Sequence, residues 1–323
     1  MYHIGVDLGG TNIAAGIVDE NGKIIIRRST KTGRLRSFEE IMNDLLGLCD
    51  DIMRRANINK EEVLTIGIGT PGNVEPKGTR VVFGNNIPAF TGADFGEAVR
   101  KHYPHMEFYL DNDANVAARA EVFCGAAIGK KNVLMVTLGT GVGGGLIIDG
   151  KIYQGFNGAA GEIGHVVIQK GGHKCNCGRR GCWEVYASVT ALVRETEEII
   201  KDYPDSIIHK TIAKDGGKIS GLTSFDAMRK GDECGRKIVE QYIEYIGMGV
   251  VDMINILQPE MIVIGGGISK EGDYIIKPLR EYVRENVYTH AQPDFPQPEI
   301  VTAKMGNDAG IVGAALLYKQ EQQ

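Results

Sequence analysis

The sequence predicts an α/β protein built from a duplicated unit, and three observations point there. Apolar strand-like runs alternate with helix-like segments in both halves of the 323-residue chain. The stretch DLGGTNIAAGIVDENGKI, starting at Asp7, returns 130 residues later as TLGTGVGGGLIIDGKI, starting at Thr137. Each reads as strand, glycine turn, strand, tight turn and a third strand beginning Lys-Ile. Glycine, 44 residues in all, gathers in short runs (DLGG, LGTGVGGG, IGGGIS) and not in a linker-like spread.

In order, strands are expected over 2–8, 12–19 and 23–30, the last two joined at Glu20-Asn21-Gly22. Asn-Gly between two apolar runs is a strong hairpin signal. A helix follows over 37–56, with Ser37 as N-cap and Glu40 completing a capping box. VLTIGIGTPG is a buried strand entering a turn, followed by a helix over about 92–102, the strand MEFYL, a helix over 113–123 and the strand NVLMVTL. After the repeat come helices near 188–202, 223–230 and 232–257, the buried strand MIVIGGG, a helix over 272–287, the strand PEIVTA and a final helix over 307–320.

Hydrophobic residues make up 43% and charged residues 24%, as in an ordinary globular protein, and the net charge of −5 comes with no basic stripe. A nucleic-acid surface is disfavoured, since phosphate-backbone binding needs clustered Lys and Arg. No apolar run approaches the ~20 residues of a membrane helix. The first residues, MYHIGVDLGG, carry no secretory signal pattern, so the expected location is the cytoplasm. Cys49, Cys124 and Cys234 read as buried free thiols.

Gly139-x-Gly141-x-x-Gly144 matches the dinucleotide fingerprint, but that motif works where the turn opens a helix. Here it leads into an alternating strand, so the Rossmann reading fails on context. Two readings remain: tight hairpins that need positive φ, or bare backbone that lets N–H groups approach a phosphate. The paired occurrence of Gly9, Gly10, Thr11 and Asn12 with Gly139, Thr140 and Gly141 favours two loops gripping one polyphosphate. Gly265, Gly266 and Gly267 offer a third close approach, at the nucleoside end. Asp7, beside the first turn, is either a turn residue or a carboxylate that meets phosphate through Mg²⁺.

LDNDANVAARAE places Asp111 and Asp113 at a strand-to-helix junction. One of the two should be the N-cap. The other, ionised at the positive end of the helix, could accept a hydroxyl proton during phosphoryl transfer. His165, Cys175, Cys177 and Cys182, one imidazole and three thiols, form a set suited to a structural zinc ion, with a disulfide as the alternative. Closing that loop would bring Glu162 and Glu184 together. Two acids, an imidazole and the Asn112 amide suit an array of sugar hydroxyls, which both donate and accept.

Taken together, DLGGTN, GIGTPG, NDANVAA, TLGTGVGGG, GEIGH, CNCGRRGCWE, IVIGGGIS and GNDAGIVGAA resemble, in order and over essentially the whole chain, the ROK family of sugar kinases, with the bacterial glucokinases as the nearest group. The family signature C-x-C-G-x-x-G-C-x-E is matched in full. The resemblance implies two RNase-H-like lobes of the actin and hexokinase type around a cleft, here 1–112 with 305–323 and 113–304. It implies Asp113 as the catalytic base and Asn86, Asn112, Glu162, His165 and Glu184 as sugar contacts, with one ring nitrogen of His165 on zinc and the other towards the sugar. Many members carry Lys where this chain has Asn12. The implied activity is transfer of the γ-phosphoryl group of ATP-Mg²⁺ to the 6-hydroxyl of a hexose, glucose foremost, in a homodimer or homotetramer. N-acetylmannosamine or N-acetylglucosamine kinase is the alternative. The family's sugar-sensing regulators are disfavoured, because the chain starts directly on its first strand.

Overall fold

The computed structural model describes residues 1–76, 78–84, 87–214, 216–292 and 294–320. The expected opening forms as β1 (Tyr2–Leu8), β2 (Asn12–Asp19) and β3 (Ile24–Lys31), followed by α1 (Phe38–Ala56). Ser37 and Glu40 close the capping box at the start of α1, each side chain accepting from the other's backbone N–H. Then come β4 (Val63–Thr70), a short pair β5 (Asn73–Val74) and β6 (Val81–Phe83), α2 (Phe95–His102), β7 (Glu107–Asn112) and α3 (Asp113–Cys124). The second opening follows as β8 (Val133–Leu138), β9 (Val142–Ile148) and β10 (Lys151–Ile152). The helices α4 (Glu184–Ala187), α5 (Val189–Ile199), α6 (Ile207–Lys214), α7 (Thr223–Arg229) and α8 (Glu233–Leu257) lead to β11 (Met261–Gly265), α9 (Asp273–Asn286), β12 (Glu299–Thr302) and α10 (Ala309–Ala315).

The duplication is visible in the topology. One sheet runs β3-β2-β1-β4-β7 and the other β10-β9-β8-β11-β12, so each places its third, second, first, fourth and fifth strands in the same succession. In the first sheet β1–β2 and β2–β3 are antiparallel, while β1–β4 and β4–β7 are parallel. None of the described helices is long and apolar enough to cross a membrane.

By internal contact the chain divides into 1–135 with 145–161 and 304–323, and 136–144 with 162–303. The first boundary, expected at 112/113, falls later, because α3 packs with the first sheet's layer. The carbonyl of Val116 lies where a Cβ on Gly313 would sit, and Glu121 accepts from the N–H groups of Lys304 and Met305.

The first unit's core explains how its glycine turn is held. Ile4, Val6 and Leu8 of β1, Ile13 and Ile17 of β2, and Ile66 and Ile68 of β4 are fully buried against Ile41, Leu45, Cys49 and Ile52 of α1. Each such aliphatic side chain contributes about 1.5–3 kcal/mol on burial. Across β2, β1 and β4 the register aligns Gly16, Gly5 and Gly67 in one row. A side chain at Gly5 or Gly67 would overlap the α10 carbonyls of Ile311 and Ala314. The row is therefore the groove in which α10 lies.

Several expectations are corrected. α2 starts at Phe95, not near Gly92, because Gly92 holds φ 78° and Asp94 caps the N–H of Glu97. The final helix is short, with single 3-10 turns at Gly306–Asp308 and Leu317–Gln320 on either side of α10. β5, β6 and α6, all short, had no expectation. Among the isolated cysteines Cys49 and Cys234 are buried, whereas Cys124 is partly exposed beside the Asn21 carbonyl.

Candidate functional site

The first glycine turn joins β1 to β2. The N–H of Gly9 donates to the Asn12 carbonyl at 3.0 Å, and the hydroxyl of Thr32 donates to the Gly9 carbonyl at 2.6 Å. The N–H groups of Gly10 and Thr11 have no partner among the described residues. The second turn, between β8 and β9, is built alike: the N–H of Gly139 donates to the Gly141 carbonyl at 3.0 Å, and those of Thr140 and Gly141 have no partner among the described residues.

The tight-hairpin alternative required positive φ at these glycines, and Gly9, Gly10, Gly139 and Gly141 do not have it. At Gly10, Gly139 and Gly267 an added Cβ would meet nothing within 4 Å. Neither backbone conformation nor packing calls for glycine at these three positions, and bare backbone there leaves room for the close approach of a ligand. The rest of the expected set divides. Gly266 has φ 87° and abuts the Leu138 carbonyl, so the fold itself requires it, and Gly265 ends the buried strand β11. Gly141 is held bare by a side chain, Glu184, whose carboxylate a Cβ would overlap.

Asp7 ends β1 with its carboxylate against Gly310. Burial pushes its pKa up from the ordinary carboxylate value, and it makes no hydrogen bond or ion pair among the described residues. A largely buried carboxylate without a protein partner, beside a bare turn, fits a divalent cation that would satisfy it.

At the β7–α3 junction the N-cap is neither aspartate. Asn112 takes that place, its side-chain oxygen accepting from the Ala114 N–H at 2.9 Å while its amide donates to the Gly72 carbonyl at 3.1 Å. One amide hydrogen and one lone pair remain for a ligand. Asp113, the first helical residue, is exposed and accepts from the same Ala114 N–H at 2.8 Å. Asp111 turns inward, 3% exposed. It accepts from the Asn112 N–H, the Asn115 amide and the Gln154 amide, while burial pushes its pKa up. Arg119, fully buried one turn beyond Asn115 and stacked over Phe123 at 4.4 Å, is brought down to about 10 by desolvation, with Asp111 opposing the shift. Gln154 and Arg119 carry no motif and escaped the sequence reading. A buried cation spaced i, i+8 from Asp111 was the only signal. Asn86, with its neighbour Asn85, lies outside the described residues.

The set of one histidine and three cysteines comes together. The ligand atoms of His165, Cys175, Cys177 and Cys182 all lie within 4.8 Å of one another, with no disulfide. Nδ1 of His165 is 3.7 Å from Cys175 Sγ, and Cys177 Sγ is 3.7 Å from Cys182 Sγ. A zinc tetrahedron with bonds of about 2.3 Å has edges of about 3.8 Å, so the residues fit that ion. Nε2 of His165 is left facing Glu162 Oε2, 4.0 Å away. The loop is anchored by Trp183, fully buried against Gly249, whose indole N–H donates to the Tyr245 carbonyl at 2.7 Å. That anchor fixes Glu184 at the start of α4, where Oε2 accepts from the Val142 N–H at 3.1 Å and Oε1 lies 3.9 Å from Cys175 Sγ.

Comparison with known proteins places the chain in a family. The model of the ROK family matches residues 3–321. The chain is 35% identical to a glucokinase of Halalkalibacterium halodurans, over 99% of this chain and 96% of that protein. It is also 35% identical to a glucokinase of Thermotoga maritima, over 98% and 97%. A ROK family glucokinase from Streptomyces griseus, solved in complex with glucose and AMPPNP, superposes with a TM-score of 0.85 at 33% identity, covering 99% of this chain and 100% of that one. The actin and hexokinase ATPase fold is thereby established, and the chain belongs to the ROK family.

Proposed function

We propose that this protein is an ATP- and Mg²⁺-dependent kinase that phosphorylates the 6-hydroxyl of glucose. The observation that carries the reading is the bareness of Gly10, Gly139 and Gly267 beside unpartnered turn N–H groups, which would let a ligand approach the backbone closely. The relatives named glucokinase point to the sugar. The unpartnered N–H groups of residues 10, 11, 140 and 141 would hold the phosphates, and Asp7 the cation that neutralises them. Asp113, at the N-terminus of α3, would accept the 6-hydroxyl proton as the hydroxyl attacks the γ-phosphorus and the bond to ADP breaks.

Zinc, held by His165 Nδ1 and the three thiolates, would fix the imidazole tautomer and turn Nε2, together with Glu162 and Glu184, towards sugar hydroxyls. Four protein ligands leave no position for water, so its role is structural. Metal analysis should find about one zinc per chain.

The test is coupled-assay turnover of glucose, mannose, N-acetylmannosamine and N-acetylglucosamine with ATP. The highest kcat/KM is expected for glucose. A preference for an N-acetylated sugar would shift the substrate, and no turnover of any of the four would overturn the reading.

A further inference from the structure

The second glycine turn is held from behind by the segment that follows the metal-ligand loop. Glu184 Oε2 accepts the N–H of Val142 at 3.1 Å, the N–H of Val189 donates to the Gly139 carbonyl at 2.8 Å, and the Thr190 hydroxyl donates to the Thr140 carbonyl at 2.8 Å. Three turn groups are thus engaged by this segment, while the N–H groups of Thr140 and Gly141 have no partner among the described residues. Of the three braces only Glu184 is charged, and a charge-assisted bond is the stronger kind. It is also the brace tied to the cysteine loop, being two residues from Cys182 and 3.9 Å from Cys175 Sγ. Its carboxylate occupies the space that a Cβ on residue 141 would take.

We propose that Glu184 is a positioning residue for the nucleotide: its carboxylate sets the 139–142 turn, so that the folded metal loop determines nucleotide affinity even with no sugar present. The proposal rests on the reading of this turn as a phosphate site, and adds to the sugar contact a second, separable task. Because each carboxylate oxygen has its own neighbour, one side chain can serve both. A loop that loses its shape would relax the turn, and nucleotide would then bind to a disordered cradle at an entropic cost.

The test is calorimetric titration of MgAMPPNP into the sugar-free, metal-loaded protein. Glu184→Ala removes the acceptor, whereas Glu184→Gln keeps a side-chain oxygen within reach of the Val142 N–H. Nucleotide Kd is expected to rise about tenfold in Glu184→Ala, the order of a lost charge-assisted bond, and to stay within about threefold in Glu184→Gln. Glucose affinity should fall in both. Chelating the metal from the wild type should weaken nucleotide as Glu184→Ala does. If Glu184→Ala does not fold, Glu184→Asp, too short to reach Val142, takes its place with the same expectation. Unchanged nucleotide Kd in a folded Ala or Asp variant overturns the proposal. Wild-type protein that binds no nucleotide at all overturns the underlying reading instead, which separates the two failures.

Discussion

The two glycine turns share a topology and differ in what supports them. In the first repeat the third strand, β3, is eight residues long and pairs Lys31 with Asn12, beside the turn itself, so Thr32 can reach the Gly9 carbonyl. In the second, β10 has two residues, paired with Ile147 and Ile148. It ends far along the strand from residues 139–141, and the bracing comes from 184–190 instead. The carboxylates differ too. Asp7 stands before the first turn without a protein partner, while its counterpart in the repeat is Thr137, and the carboxylate near the second turn, Glu184, is engaged with backbone. A duplicated scaffold thus carries two differently braced loops: under the proposed function, one would leave a carboxylate for a cation, and the other would tie the phosphate cradle to the loop of His165 and the three cysteines.

The largest effect should come from the residue that belongs to neither turn. Asp113→Ala is expected to lower kcat about a hundredfold or more while glucose still binds, as steady-state kinetics and calorimetry would show. Near-normal kcat would reject Asp113 as the base and leave both turns without a chemical partner. Next is the asymmetry between repeats. Asp7→Asn should raise the Mg²⁺ concentration needed for half-maximal rate by about tenfold or more, whereas Thr137→Val should shift it by less than about threefold. Equal effects at the two positions would erase the distinction drawn between the turns.

Glycines in the same unit sharpen the point further. Gly67→Ala should lower stability by about 1–3 kcal/mol or more, because its Cβ would strike the Ala314 carbonyl, while Gly10→Ala should stay within about 0.5 kcal/mol of wild type. Denaturant titration reads both. The smallest effect concerns pH. His3, whose Nδ1 is 2.9 Å from the Thr65 hydroxyl and whose ring stacks on Tyr318, is brought down to about 4, chiefly by burial and then by the positive charges of the N-terminus and Lys319. The unfolded chain therefore takes up a proton before the folded one. Stability should decline as pH falls from about 6.5 to about 4 and level off below, and His3→Gln should flatten that slope.

Much of this was legible in the sequence. Asn-Gly, the Ser37–Glu40 box and the alternating apolar runs place the first sheet and α1, since those signals act over a few residues. The repeat at Thr137 foretells two sheets of one order. Local signals misplace what distant contacts decide: Asn112 outcompetes both neighbouring aspartates for the N-cap because Asp111 is drawn inward by Asn115 and Gln154, the latter 43 residues away. The spacing of cysteines foretells the cluster with His165, but not that Glu184 would reach back to Val142, 42 residues earlier. Nor does the string of glycines tell which face open space and which, like Gly5 and Gly266, abut the backbone of another element.

The most direct test of the central claim is nucleotide affinity and thermal stability measured together on Gly10→Ala and Gly139→Ala. If the two turns exist to bring backbone against phosphate, MgAMPPNP Kd should rise about tenfold or more in each variant while the melting temperature stays that of the wild type. Unchanged affinity in both, or a loss that tracks a lowered melting temperature, would contradict it.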